Sequence, residues 1–209
     1  MAQRIGLYGG SFNPIHHGHL IIARSIRERL DLDRVVFLPS RRPPHKGEGD
    51  LLEAEHRAEM VRLAIAGETG FEVSDYDLAR DGPCYTIDTV QHFHARFGAN
   101  GELSWMIGED SLSELPTWRR AGELVNACRI VTAARSSVSR VDWASLQRAF
   151  DAQQVQKLRD GVLSTPIIDI SSTEVRTRIQ HGRSIRFLVP DSVADYIRER
   201  RLYLTGKGD

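Results

Sequence analysis

Three imidazoles fall within four residues at His16, His17 and His19, in the stretch GSFNPIHHGH that runs from Gly10 to His19. An imidazole can ligate a metal, move a proton, or donate a hydrogen bond to a phosphate oxygen. His16 and His19 are three apart, with Gly18 between them. At the start of a helix this spacing puts both rings on one side, where they can serve one polyanion. His17 points away from its neighbours and receives no role. A zinc site is a competing reading, but no HExxH pattern or nearby cysteine completes a ligand shell. Loop histidines that only cap a helix are the other.

A second stretch, ISSTEVRTRI (Ile170–Ile179), has similar potential. Ser171 or Ser172 can act as N-cap, and Thr173 can present its hydroxyl beside the first free N–H groups. Arg176 lies one turn further on the same side, and its guanidinium fork suits phosphate oxygens. Alone, Ser-Ser-Thr followed by Glu is only a capping signal. Paired with the first stretch it becomes a second helix N-terminus able to hold an anion, so that the two could grip opposite ends of a triphosphate.

Both stretches need strands to position them. Apolar runs of strand length alternate with helical periods along the chain. Ile5–Tyr8, Val35–Leu38, Phe71–Val73, Leu103–Ile107, Ile130–Ala133 and Ile167–Ile170 read as strands. Helices are expected at His17–Leu30, Glu53–Ala66, Thr86–Phe97, Trp118–Ala127, Ser172–His181 and Asp191–Arg200, and Val141–Leu158 as a helical excursion. This order predicts an α/β fold: a doubly wound, mostly parallel, Rossmann-like sheet covered on both faces, with a C-terminal helical part. Gly9 and Gly10 would let the chain turn sharply after the first strand and approach a ligand closely. Such a turn sits at a strand's carboxyl end, where open parallel sheets bind ligands. Neither a GxxxxGK[ST] loop nor a GxGxxG fingerprint is present.

The 209 residues suit one domain spanning 1–209, with 170–209 as the helical part that carries SSTEVR. Lys+Arg and Asp+Glu are both 28, so the formal net charge is zero, which argues against a bulk grip on nucleic acid. Cys84 and Cys128 lie far apart, outside any CxxC pair, as expected of reduced thiols. The expectation is a cytoplasmic protein: no leader pattern opens the chain, and no apolar run approaches the roughly 20 residues needed to cross a bilayer.

GSFNPIHHGH and ISSTEVR together resemble the two signatures of the HxGH nucleotidyltransferase superfamily. PPHK (Pro43–Lys46), GPCYTIDT (Gly82–Thr89), MIGEDSLSELPTW (Met106–Trp118) and LVPDSVADYI (Leu188–Ile197) narrow the resemblance to bacterial nicotinate-nucleotide adenylyltransferases. The matches cover most of the chain in the family's order. The resemblance implies a nucleotidyltransferase fold and transfer of the adenylyl group of ATP to nicotinate mononucleotide, giving deamido-NAD and pyrophosphate. It implies that His16, His19 and Arg176 work at the reacting phosphates. Gly9, Gly10, Ser11, Phe12, Gly18, Gly108, Ser171, Ser172 and Thr173 would line the ATP site. Mg²⁺ would arrive with ATP, bound mainly through phosphates, with no carboxylate cage.

For the mononucleotide, the resemblance points to His45, Lys46, Tyr85, Thr86, Asp110 and Trp118. Lys46 and His45 would approach its phosphate or stand as solvated surface groups. Trp118 would stack on the pyridine ring, and N–H groups near Thr86 would bind the carboxylate. Asp110 would bind ribose or cap a helix. Cys84 departs from the serine usual in the family, and Ser136–Leu163 matches the family poorly. His92 and His94 are read as surface residues. The alternatives are an adenylyltransferase acting on nicotinamide mononucleotide or another phosphate acceptor, and a non-catalytic nucleotide-binding regulator. A homo-oligomer is compatible with the sequence; nucleic acid and membrane partners are not expected.

Overall fold

The computed structural model describes residues 3–41, 51–134 and 141–204. Among them runs one sheet of β1 (Gln3–Gly10), β2 (Arg34–Pro39), β3 (Phe71–Val73), β4 (Gly101–Gly108), β5 (Arg129–Ala134) and β6 (Val162–Ser164). Its order is β3-β2-β1-β4-β5-β6 and every pairing is parallel. The chain leaves β1 toward β2 on one side and later returns to β4 on the other. The crevice between the carboxyl ends of β1 and β4 is therefore the topological switch point, where such sheets bind ligands.

Both faces of the sheet are buried, as parallel strands require, and the side chains alternate between two apolar clusters. Ile5, Leu7, Val36, Leu38, Leu103 and Trp105 face α3 (Thr86–Phe97), α5 (Ala121–Ala127), α6 (Trp143–Ala149) and α7 (Ala152–Asp160). Val35, Phe37, Met106 and Val131 face α1 (His17–Arg29), α2 (Ala54–Ile65), α8 (Ser172–Gln180) and α9 (Asp191–Glu199). Val175, Val193, Ile197 and Leu202 belong to this second cluster with Phe37, Met60 and Val61, so the C-terminal helices share the core of the sheet. Each such side chain, fully buried, contributes about 1.5–3 kcal/mol of transfer free energy.

Three expectations change. Ile167–Ile170 is not a strand: Pro166 removes a ladder donor, Ile167 is exposed, and the sixth strand lies earlier, at Val162–Ser164. Trp118–Ala127 is helical only from Ala121, because a 3-10 turn (Leu115–Thr117) precedes it and Arg120 adopts φ 54°. Val141–Leu158 is two helices with a break at Phe150–Asp151, where Asp151 caps α7 by accepting from the Gln154 N–H at 2.8 Å. A short α4 (Glu109–Glu114) follows β4.

One polar residue joins α2 to the loops above the sheet. Arg57 is fully buried and donates Nη1 to the Ser11 carbonyl at 2.7 Å, Nε to the Leu52 carbonyl at 2.8 Å and Nη2 to the Arg41 carbonyl at 3.3 Å. Burial pulls its pKa below the ordinary guanidinium value, against the favourable fields of Tyr203 and Glu55. Arg57→Met would leave these carbonyls without their donor. It should cost about 3 kcal/mol of unfolding free energy, with a melting temperature lower by about 5–10 °C. Arg57→Lys should recover only part. A variant melting within ~2 °C of the parent would show that the carbonyls do not depend on this side chain.

Candidate active site

The first histidine stretch begins where β1 ends. Gly9 and Gly10 are still strand, not turn. They are needed for close approach: a Cβ on Gly9 would stand 2.5 Å from the Trp105 indole, and one on Gly10 would stand 3.0 Å from the Phe12 ring. The turn itself comes at Phe12, whose φ is 43°. His16 is the N-cap of α1, and the His16 and His19 rings lie on one side of the helix start with centroids 3.8 Å apart. Gly18 leaves room for the His16 ring, whose atoms a Cβ there would meet at 3.0 Å.

The His19 ring has a defined polarity. The backbone N–H of His16 donates to His19 Nδ1 at 3.2 Å, so Nδ1 is the acceptor and the proton of a neutral ring sits on Nε2. Capping a helix and presenting a donor thus fall to different nitrogens of one imidazole. Two of the first N–H groups of α1 are already engaged. The N–H of His17 donates to the Leu188 carbonyl at 2.9 Å, and that of His19 to the His16 carbonyl at 3.0 Å.

The second stretch docks directly on this loop. Ser171 is the N-cap of α8, its hydroxyl accepting from the Glu174 N–H at 3.1 Å. Ser172 Oγ donates to the Pro14 carbonyl at 2.8 Å. Arg176 donates Nη1 to the Asn13 carbonyl at 2.9 Å and Nη2 to Thr173 Oγ1 at 3.4 Å. Residues some 160 positions apart in sequence therefore meet at one loop. With Arg57 on Ser11, the loop carbonyls of Ser11, Asn13 and Pro14 are all satisfied from α2 and α8. A trans peptide points its N–H opposite its carbonyl, so the N–H groups of Phe12 and Ile15 turn away from those donors.

Beside the loop, at the switch point, lies a cavity of about 480 Å³. Tyr8–Ser11 of the β1 end and Trp105–Gly108 of the β4 end form its floor, and Tyr85, Thr86 and Trp118 line its far part. Tyr85 is the N-cap of α3, with no side-chain capping bond. Asp77 and Cys84 also line it. Asp77 is buried and accepts from the Thr89 hydroxyl at 2.8 Å, and burial raises its carboxyl above the usual range. Cys84 Sγ donates to the Asp77 carbonyl at 3.3 Å.

Of the residues singled out from sequence, Gly108, Tyr85, Thr86 and Trp118 join this cavity, while Asp110 is exposed in the first turn of α4 and is not part of its lining. His45 and Lys46 lie outside the described residues. His92 and His94 are not simple surface residues. His92 is half-buried and stacks on Tyr76 with ring centroids 3.7 Å apart, and burial lowers its pKa. His94 Nε2 meets the Ala127 carbonyl at 2.5 Å.

Sequence reasoning missed Arg57, Asn13, Tyr203, Asp77 and Arg119. Asn13 is a node: its Oδ1 accepts from the Tyr203 hydroxyl at 2.9 Å and the Leu52 N–H at 3.4 Å. Only the Asn-Pro pair hinted at it. No three His, Cys, Asp or Glu side chains converge as metal ligands among the described residues. No described helix is long and apolar enough to cross a membrane.

Known proteins resemble this chain in sequence and in fold. Residues 7–178 match the family described as cytidylyltransferase-like. A probable nicotinate-nucleotide adenylyltransferase of Dehalococcoides mccartyi (strain CBDB1) is 40% identical over 203 residues, covering 97% of this chain and 98% of the relative. One from Synechococcus sp. (strain JA-3-3Ab) is 41% identical over 202 residues, covering 97% and 95%. The fold matches a Plasmodium falciparum nicotinic acid mononucleotide adenylyltransferase complexed with NaAD at TM-score 0.73 and 19% identity, covering 96% of this chain and 97% of that one. With such identity along nearly the whole of both chains, this chain belongs to the cytidylyltransferase-like family and, within it, to the nicotinate-nucleotide adenylyltransferases.

Proposed function

We infer that the protein transfers the adenylyl group of ATP to nicotinate mononucleotide, giving deamido-NAD and pyrophosphate in NAD synthesis. The observation that carries this reading is the docking of α8 on the β1–α1 loop, beside the switch-point cavity. That arrangement supports a triphosphate site adjoining an acceptor site.

The reaction joins a 5′-phosphate oxygen of the mononucleotide to the α-phosphorus of ATP while the bond from that phosphorus to the pyrophosphate oxygen breaks. The attacking phosphate is already anionic near neutral pH, so no general base or protein nucleophile is needed. What remains is to hold two polyanions in line and to stabilise charge as pyrophosphate departs. His19 donates from Nε2 and His16 lies against it, next to the reacting phosphate. Ser171, Thr173 and Arg176 hold the outer phosphates, with Gly9, Gly10, Ser11, Phe12, Gly18, Gly108 and Ser172 shaping the ATP cleft. The divalent ion, Mg²⁺ in this reading, is part of the ATP substrate and neutralises its phosphate oxygens.

Trp118 and Tyr85 enclose the pyridine ring, and the uncapped N-terminus of α3 at Thr86 receives its carboxylate. His45 and Lys46 approach the mononucleotide phosphate, and Asp110 its ribose. The chain works as one domain, 1–209, in the cytoplasm.

Two measurements test this. With MgATP and each mononucleotide in turn, pyrophosphate release should be faster with the acid; equal or better use of the amide would overturn acid specificity. His19→Ala should lower kcat by about 100-fold or more with little change in KM, as for loss of a contact made mainly in the transition state. Its melting temperature separates that loss from the loss of the helix cap. An unchanged kcat would remove His19 from the reacting centre.

A further inference from the structure

Arg119 is the one cationic side chain among the described residues that line the switch-point cavity, and two carboxylates, Asp77 and Glu114, line it as well. The arginines nearby have acidic partners. Arg120 pairs with Glu123 at 2.6 Å, Arg80 with Asp88 at 3.1 Å, and Arg41 with Asp81 at 3.7 Å. Arg119 has no carboxylate within ion-pair distance among the described residues. Its guanidinium instead lies over the Tyr85 ring, with Cζ 4.7 Å from the centroid, beside the N-terminus of α3.

An aromatic face orients a guanidinium without neutralising it, so Arg119 keeps its charge and its donors for a ligand. Asp77 is nine-tenths or more buried and already accepts from Thr89, and Glu114 is exposed. Without Arg119 the lining would carry the negative charge of Glu114, and that of Asp77 as well wherever its carboxyl is ionised. Such a lining would oppose a pyridine carboxylate and tolerate a neutral amide.

We propose that Arg119 sets acceptor specificity, its guanidinium pairing with the ring carboxylate of the acceptor between Tyr85 and Trp118. This rests on the acceptor being a pyridine mononucleotide. Arg119 acts at the ring end and not at the phosphorus, so its contribution is to binding and falls on KM and not on kcat.

The test uses the full chain and the variants Arg119→Gln and Arg119→Lys. Steady-state kinetics are measured with MgATP and either nicotinate or nicotinamide mononucleotide. Arg119→Gln should raise KM for the acid about tenfold while leaving its kcat within about twofold and KM for the amide unchanged. Arg119→Lys should restore most of the loss, since it keeps the charge. Raising ionic strength should weaken use of the acid more in the parent than in Arg119→Gln. An unchanged acid-to-amide ratio in Arg119→Gln, or equal losses for both acceptors, would overturn the proposal while leaving adenylyl transfer intact. A parent protein that adenylylates neither mononucleotide would instead overturn the function itself, and this inference with it.

Discussion

The contact on which the site depends is the seating of the α8 N-terminus on the β1–α1 loop. Two donors from one helix turn, the Ser172 hydroxyl and the Arg176 guanidinium, take the carbonyls of Pro14 and Asn13. Buried carbonyls need donors, and here the donors arrive from more than 150 residues away. The same bonds that satisfy the loop bring Thr173 and Arg176 to within a few residues of His16. Folding and assembly of the proposed anion site are therefore one event. A chain that failed to dock α8 would expose Val175 and strand the loop carbonyls together.

Among the described residues, the two arginines that hold this loop have no carboxylate within ion-pair distance. Arg57 and Arg176 both bind neutral carbonyls, and burial opposes the charged form of Arg57. A guanidinium solvated by carbonyl dipoles keeps its full charge, whereas one paired with a carboxylate contributes little field at a distance. The loop therefore carries positive potential from two sides before any nucleotide arrives. The chain's zero net charge conceals this, because it averages over surface pairs such as Arg62–Asp75 and Arg198–Asp195 that are solvated where they stand.

Much of this was legible in the sequence, for a physical reason. The strands at Val35, Leu103 and Ile130 are buried on both faces and read as continuous apolar runs, and the histidine and serine stretches are local patterns at helix starts. Ile167–Ile170 misled because three isoleucines mimic a strand. In the fold they form a connection, with Ile168 laid near Gly18 and Ile170 against the second core cluster. β6 is only three residues long and carries too little periodicity to be seen. Arg57, Asn13 and Tyr203 were illegible because they bind backbone carbonyls or one another across long separations, and no residue pattern marks a carbonyl that lacks a donor.

The histidine stretch also shows why a structural and a chemical reading of one residue need not compete. His19 satisfies the His16 N–H through Nδ1, which a helix start requires. In the neutral ring that bond makes Nδ1 the acceptor and leaves the proton on Nε2. A phosphate oxygen needs a donor, and the cap supplies one from a neutral ring. The two rings lie together on one side of the helix start, with centroids 3.8 Å apart. One side chain can thus close the helix start and, in the proposed function, turn its Nε2 donor toward a phosphate oxygen.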